Sequence, residues 1–146
     1  MSGEFLGIFE NSVNKQRVII PASFKKKFST EANRSVVVTL GPDNTIAIYP
    51  LDCWINTLSR LKDGDEKSRS LRSQLIAFAM TEQELEGPGR VRIYEHLLRE
   101  VNITDSVVIK GEGHFISLWN PEVYQEIRRQ KLAHHRNTFT SEDYQL

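Results

Sequence analysis

A pattern that returns along the chain constrains its fold more than any other feature. Arg17-Val18-Ile19-Ile20 is answered by Arg90-Val91-Arg92-Ile93, and at the same offset Phe24 and Phe28 are answered by Leu97 and Val101. Ser35-Val36-Val37-Val38 returns as Ser106-Val107-Val108-Ile109, Ile46-Ala47-Ile48-Tyr49 as Ile116-Ser117-Leu118-Trp119, and Trp54 as Tyr124. Such a chain is expected to consist of two supersecondary units, each too small to bury its own apolar face. The units must then pack on one another or on further copies.

Local signals fill in each unit. Glu4 to Asn11 alternates weakly and predicts a short strand, residues 12–16 a polar loop, and Arg17 to Ile20 a second strand of β-branched residues. Pro21 suits the first turn of a helix, with Phe24 and Phe28 on its inner face and Lys25, Lys26 and Lys27 turned outward. Val36–Leu40 and Thr45–Tyr49 flank the turn signal Gly41-Pro42-Asp43-Asn44, which predicts a hairpin; Gly111-Glu112-Gly113-His114 turns its counterpart. Pro50 opens a helix with Leu51, Trp54, Ile55, Leu58 and Leu61 on one stripe, and a second helix is expected over about Glu66 to Met80, with Leu71, Leu75, Phe78 and Ala79 aligned. A helix from Pro121 closes the second unit, apolar at Val123, Tyr124 and Ile127 and polar beyond Arg128. The unit order is strand–loop–strand–helix–strand–strand–helix, an α+β arrangement of short antiparallel strands.

The 146 residues suit one domain or two intimate half-domains, and 39% hydrophobic with 26% charged residues is ordinary for a soluble globular chain. No apolar run approaches the roughly 20 residues of a membrane helix. Met1-Ser2-Gly3-Glu4 does not read as a signal peptide, and the single cysteine, Cys53, permits no intrachain disulfide. These features favour the cytoplasm.

The 19 basic and 19 acidic residues cancel, which argues against indiscriminate coating of nucleic acid. Their distribution is uneven. From Asn11 to Thr30 stand Lys15, Arg17, Lys25, Lys26 and Lys27 with no acid, whereas from Thr81 to Glu100 three basic residues face five acids. An anionic partner is therefore expected on the first half.

No spacing points to catalysis, a metal or a cofactor. Cys53 follows a helix start, which lowers a thiol pKa, but lacks a patterned base. His134-His135 do not share a helix face and have no third ligand. Asp63-Gly64-Asp65-Glu66 fails the calcium-loop pattern and reads as a linker, and Gly87-Pro88-Gly89 is a tight turn without the Lys-Ser or Lys-Thr of a phosphate loop. The chain is not expected to be an enzyme or to bind a small-molecule substrate.

The string Lys15-Gln16-Arg17-Val18-Ile19-Ile20-Pro21, its echo Gly89-Arg90-Val91-Arg92-Ile93 at the foot of a helix, and the aromatic-ended hairpins resemble the MraZ family of bacterial transcriptional regulators, whose halves are similar to the AbrB-like swapped-hairpin unit. The resemblance runs from about Glu4 to Glu126. It implies duplicated β-barrel units over 4–62 and 81–135, a connecting helix over 63–80 and a flexible tail over 136–146. It also implies a homo-oligomeric ring that binds direct repeats upstream of its own division and cell-wall operon, cytoplasmic and nucleoid-associated. The family motif places an Asp, three residues, then an Arg in each half. Here an ungapped alignment puts Val13 in the first acid slot, while a one-residue shift puts Asn14 there; Gln16 stands where Gly is usual. The second half has Glu86 in the acid slot, Gly89 before Arg90, and Tyr94 where Pro is usual. By this resemblance Arg17, Lys15, Asn14, Lys25, Lys26 and Arg90 are DNA-contact candidates, and Glu86 and Gly89 hold the loop. Glu86 is placed to pair with Arg90, which gives Arg90 a structural alternative. A duplicated scaffold that kept its assembly but lost its operator is the alternative reading of the whole chain.

Overall fold

The computed structural model describes residues 1–145; Leu146, in the expected tail, lies outside the described residues. The fold is mixed α+β. Its strands are β1 (Ile8–Ser12), β2 (Arg17–Ile19), β3 (Ser35–Gly41), β4 (Thr45–Pro50), β5 (Gln83–Glu84), β6 (Arg90–Arg92), β7 (Ser106–Gly111) and β8 (Ile116–Trp119). Its helices are α1 (Ala22–Lys25), α2 (Leu51–Lys62), α3 (Glu66–Ala77), α4 (Glu95–Glu100) and α5 (Pro121–Thr138).

Two hairpins, β3–β4 and β7–β8, sit side by side because β4 pairs antiparallel with β8, Ala47 opposite Ser117. The outer strands cross between them. β1 lies on β7, with Phe9 opposite Ile109, and the two-residue β5 lies on β3. The six strands run β1-β7-β8-β4-β3-β5, and β2 and β6 form a separate two-stranded ribbon. The expected closed barrels are therefore absent: the six-stranded sheet is open. The physical reason is the exchange of strands. β1 leaves for the second hairpin, β5 for the first, and β2 and β6 satisfy one another, so neither half has a strand left with which to close.

The central strands read as near-continuous apolar runs because both faces of the sheet are covered. One face sends Val36, Val38, Ile46, Ile48, Ile109, Ile116 and Leu118 into a core shared with Val18 and Ile20 of the β2 segment, Val91 and Ile93 of the β6 segment, and Leu97 and Leu98 of α4. The other sends Ala47 and Tyr49 to Cys53 of α2, and Val108 and Trp119 to Tyr124 of α5. Phe24 of α1 closes the first core, meeting Phe5 and Phe9 edge-on with ring centroids 5.7 and 5.2 Å apart.

Several helical expectations change in detail. Ile55 is 60% exposed, because α2 turns Asp52 and Cys53 inward instead. Asp52 receives the N-terminal segment: Ser2 N–H donates to its Oδ2 at 2.6 Å, and the Ser29 hydroxyl donates to the same oxygen at 3.0 Å. Burial alone raises this carboxyl pKa, but these bonds outweigh it and hold the group below the usual carboxylate range. Cys53 donates to the Ser2 carbonyl, and burial followed by the Asp52 charge pushes its thiol up to about 11, the reverse of a helix-start activation. The segment expected to be a linker is a three-residue turn in which Asp65 caps α3 by accepting from Ser68 N–H. α3 ends at Ala77 rather than Met80, and only Leu75 of its expected stripe is buried; Leu71 and Phe78 stay about half exposed. α5 continues through Thr138, and the segment after it turns back so that Tyr144 bonds His135. No described helix is long and apolar enough to cross a membrane.

Candidate nucleic-acid interface

The ribbon brings both repeated loops to one place. Alternation along a strand sends Val18 and Val91 into the core and leaves Arg17, Ile19, Arg90 and Arg92 on the outer side. The register sets Arg17 opposite Arg92 and Ile19 opposite Arg90, so three guanidinium groups share one face. Directly opposed side chains of like charge repel. This face is therefore an electrostatic cost to the fold in isolation.

Two tight turns hold the ribbon. In the first, Asn14 and Arg17 exchange both backbone hydrogen bonds, at 3.0 and 2.9 Å, around Lys15 and Gln16. Those central residues have φ of 50° and 64°, the left-handed pair that a two-residue hairpin requires. The expected loop over residues 12–16 is thus the end of β1 at Ser12 followed by a tight turn, rather than an open loop. Gln16 occupies a conformation that favours glycine, which explains why a Gly suits this position. In the second turn, Glu86 and Arg90 exchange bonds around Gly87-Pro88-Gly89, as the tight-turn reading expects, and Gly87 and Gly89 have φ of 49° and 115°. The turns then lock reciprocally. Ile20 N–H donates to the Gly89 carbonyl at 2.9 Å, and Ile93 N–H donates to the Gln16 carbonyl at 2.8 Å.

The side chains sort the candidates. Arg17 Nε lies 3.1 Å from Glu86 Oε1, and its Nη1 donates to the Lys15 carbonyl at 3.0 Å. Glu86 thus pairs with Arg17 across the ribbon and not with Arg90 as expected. The Arg90 guanidinium instead packs on Gly87, where a Cβ would come within 2.8 Å of Nη2, while Glu86 meets the Arg17 head. Lys25 also departs from expectation. It is not a free outward lysine: its Nζ donates to the Pro88 carbonyl and its stem lies over Gly89, where a Cβ would come within 2.5 Å of Cδ. Lys25 is a strut between α1 and the second turn. Lys15, at the tip of the first turn, is exposed, as are Asn14, Lys26 and Lys27.

Sequence reasoning missed Arg92. Aligned as an echo of Ile19, it was given no role of its own. The signal was the alternation Arg90-Val91-Arg92, which puts both arginines on one side. Gln83 clamps it, accepting from Arg92 N–H at 2.9 Å and donating to its carbonyl at 2.8 Å, and the guanidinium carbon stands 5.8 Å from the centre of the Tyr94 ring. Among the described residues no group of three or more His, Cys, Asp or Glu side chains gathers as a metal cage.

An α+β core that carries a basic ribbon on interlocked turns defines the class of chain. No protein-family model matches it. It is similar along most of its length to curated proteins named transcriptional regulator MraZ. These include one from Lactiplantibacillus plantarum, 31% identical and covering 88% of this chain and 91% of its own, and one from Caldanaerobacter subterraneus, 29% identical and covering 92% and 97%. A third, from Thiobacillus denitrificans, is 28% identical over 94% of this chain and 95% of its own. The chain belongs to the MraZ family.

Proposed function

We propose that this chain is a sequence-specific DNA-binding transcriptional regulator that acts without a cofactor. The observation that carries the reading is the outward arginine face of the β2–β6 ribbon. A two-stranded ribbon fits the major groove of B-DNA, and guanidinium groups serve both phosphate neutralisation and two-pronged contact with guanine. The relatives' names point the same way. In this reading Arg17, Lys15 and Arg90 contact DNA, Asn14 and Lys26 flank them, Lys25 braces the second turn, and Glu86 and Gly89 fix the loops.

Each half is one swapped-hairpin unit, over 4–62 and 81–135, with 63–80 connecting them. The reciprocal locking of the two turns and the paired hairpins support this division. Several copies assemble as a ring on direct repeats upstream of the chain's own operon in the nucleoid. Avidity over several subunits reconciles operator binding with a net charge of zero.

A second reading, an oligomeric scaffold that no longer reads DNA, draws on one observation. Two of the candidate cations, Arg17 and Lys25, are engaged inside the molecule. The test is Arg17→Ala in the full-length protein, titrated by fluorescence anisotropy against a duplex from upstream of its gene. The DNA reading expects an intact fold and weaker binding; binding equal to wild type removes Arg17 from the interface.

A further inference from the structure

We propose that Arg92 is a specificity-determining residue of this ribbon, making a two-pronged contact with a guanine edge; this rests on the DNA-binding reading above. Three features of its setting separate it from the other cations. It is exposed, and among the described residues its guanidinium has no acidic partner, whereas Arg17 is held by Glu86. Its backbone is clamped on both sides by the Gln83 amide, so the Cα from which it projects is fixed on the ribbon. Its guanidinium lies near the Tyr94 ring, at 5.8 Å, within the range of a cation–π contact.

A phosphate contact asks only for a mobile positive charge, which Lys15 already supplies at the turn tip. A planar fork steadied by an aromatic ring and mounted on a clamped strand suits directional recognition of paired acceptors, the N7 and O6 of guanine. The register strengthens the inference. Arg92 stands directly across from Arg17, so one residue from each half reaches the same patch of groove. The repulsion between them is relieved when an anionic, acceptor-rich surface inserts between the two heads. Tyr94 contributes twice here, opening α4 from its N-cap position and steadying the head of Arg92.

The test uses the full-length protein with two labelled duplexes, one from upstream of its gene and one with the same bases shuffled. The quantity read is the dissociation constant for the shuffled duplex divided by that for the native one. Arg92→Gln lowers this ratio about tenfold or more, and Arg92→Lys, which restores charge but not the fork, leaves it low. Replacing guanines of the native duplex by 7-deazaguanine, which lacks the N7 acceptor, weakens wild type at one position and leaves Arg92→Gln unaffected there. Arg128→Gln, on the distant exposed part of α5, keeps the wild-type ratio; an equal fall in that variant would reduce the effect to net charge and overturn the role. A ratio that survives in Arg92→Gln, or returns in Arg92→Lys, also overturns it. Wild-type protein that holds both duplexes alike overturns the DNA-binding reading together with this one.

Discussion

Among the described residues Glu86 is the one acid that forms an ion pair with an arginine of this face, and replacing it separates two roles. In Glu86→Gln the 3.1 Å ion pair with Arg17 becomes a hydrogen bond from the guanidinium to a neutral amide oxygen. Both partners are partly in solvent, with side chains 36% and 47% exposed. A pair of this kind contributes roughly 0.2–1 kcal/mol to stability, so the variant unfolds within about 1 kcal/mol of wild type. The turn survives, because its backbone exchange with Arg90 is independent of the carboxylate. DNA affinity moves the other way. A carboxylate about 6 Å from a phosphate in a water-like dielectric costs about 0.7 kcal/mol, close to a threefold change in Kd. Glu86→Gln therefore binds the upstream duplex about threefold more tightly at low salt, and the gain fades as salt rises. Anisotropy titration at two salt concentrations, beside urea unfolding, measures both effects. Weaker binding in the variant would refute the reasoning and make the ion pair a required positioner of Arg17; a stability loss above about 2 kcal/mol would refute the assignment of the pair as a solvent-exposed one.

Other outcomes follow from the turns and the buried thiol. Gln16→Gly relieves a left-handed conformation that costs a non-glycine residue about 1 kcal/mol, partly offset by glycine's greater freedom when unfolded, so urea unfolding shows a gain of about 0.5 kcal/mol. Gly89→Ala forces a side chain into φ of 115° against the Lys25 stem, and unfolding shows a loss of about 1–3 kcal/mol. Cys53 resists iodoacetamide at pH 8 in the native protein and reacts once unfolded. Its raised folded pKa of about 11, against an ordinary 9.0, favours the protonated thiol in the fold. That contribution is complete below pH 9 and lost as pH rises toward 11; a Cys53→Ala variant lacks this alkaline decline in its unfolding midpoint.

Much of the fold was legible because its signals are local. The turn residues at Gly41–Asn44 and Gly111–His114, the β-branched runs beside them, and Pro21, Pro50 and Pro121 each mark an element boundary found within a residue or so. The exchange of β1 and β5 between hairpins was not legible, since pairing over such separations leaves no mark in either strand; this is why an open sheet replaces the expected barrels. At the site, the loops were found but their side-chain partners were not. Proximity in sequence suggested Glu86 with Arg90, while the ribbon's register delivers Arg17 to Glu86. Lys25 looked free because nothing in its neighbourhood foretells the Pro88 carbonyl. Arg92 was hidden by the alignment of the repeats, which matched it to an isoleucine. Ile55 failed as a core residue because the periodicity of α2 says nothing about the N-terminal segment that Asp52 captures.

The most direct measurement is a titration of the purified full-length protein with a duplex from upstream of its own gene, and with its shuffled counterpart, across a range of salt concentrations. The account predicts preference for the native duplex and an affinity that falls steeply with salt, the slope of log affinity against log salt being about −0.9 for each phosphate neutralised. Feeble, equal binding to both duplexes by the folded protein would contradict it and leave the ribbon as a structural element of a scaffold.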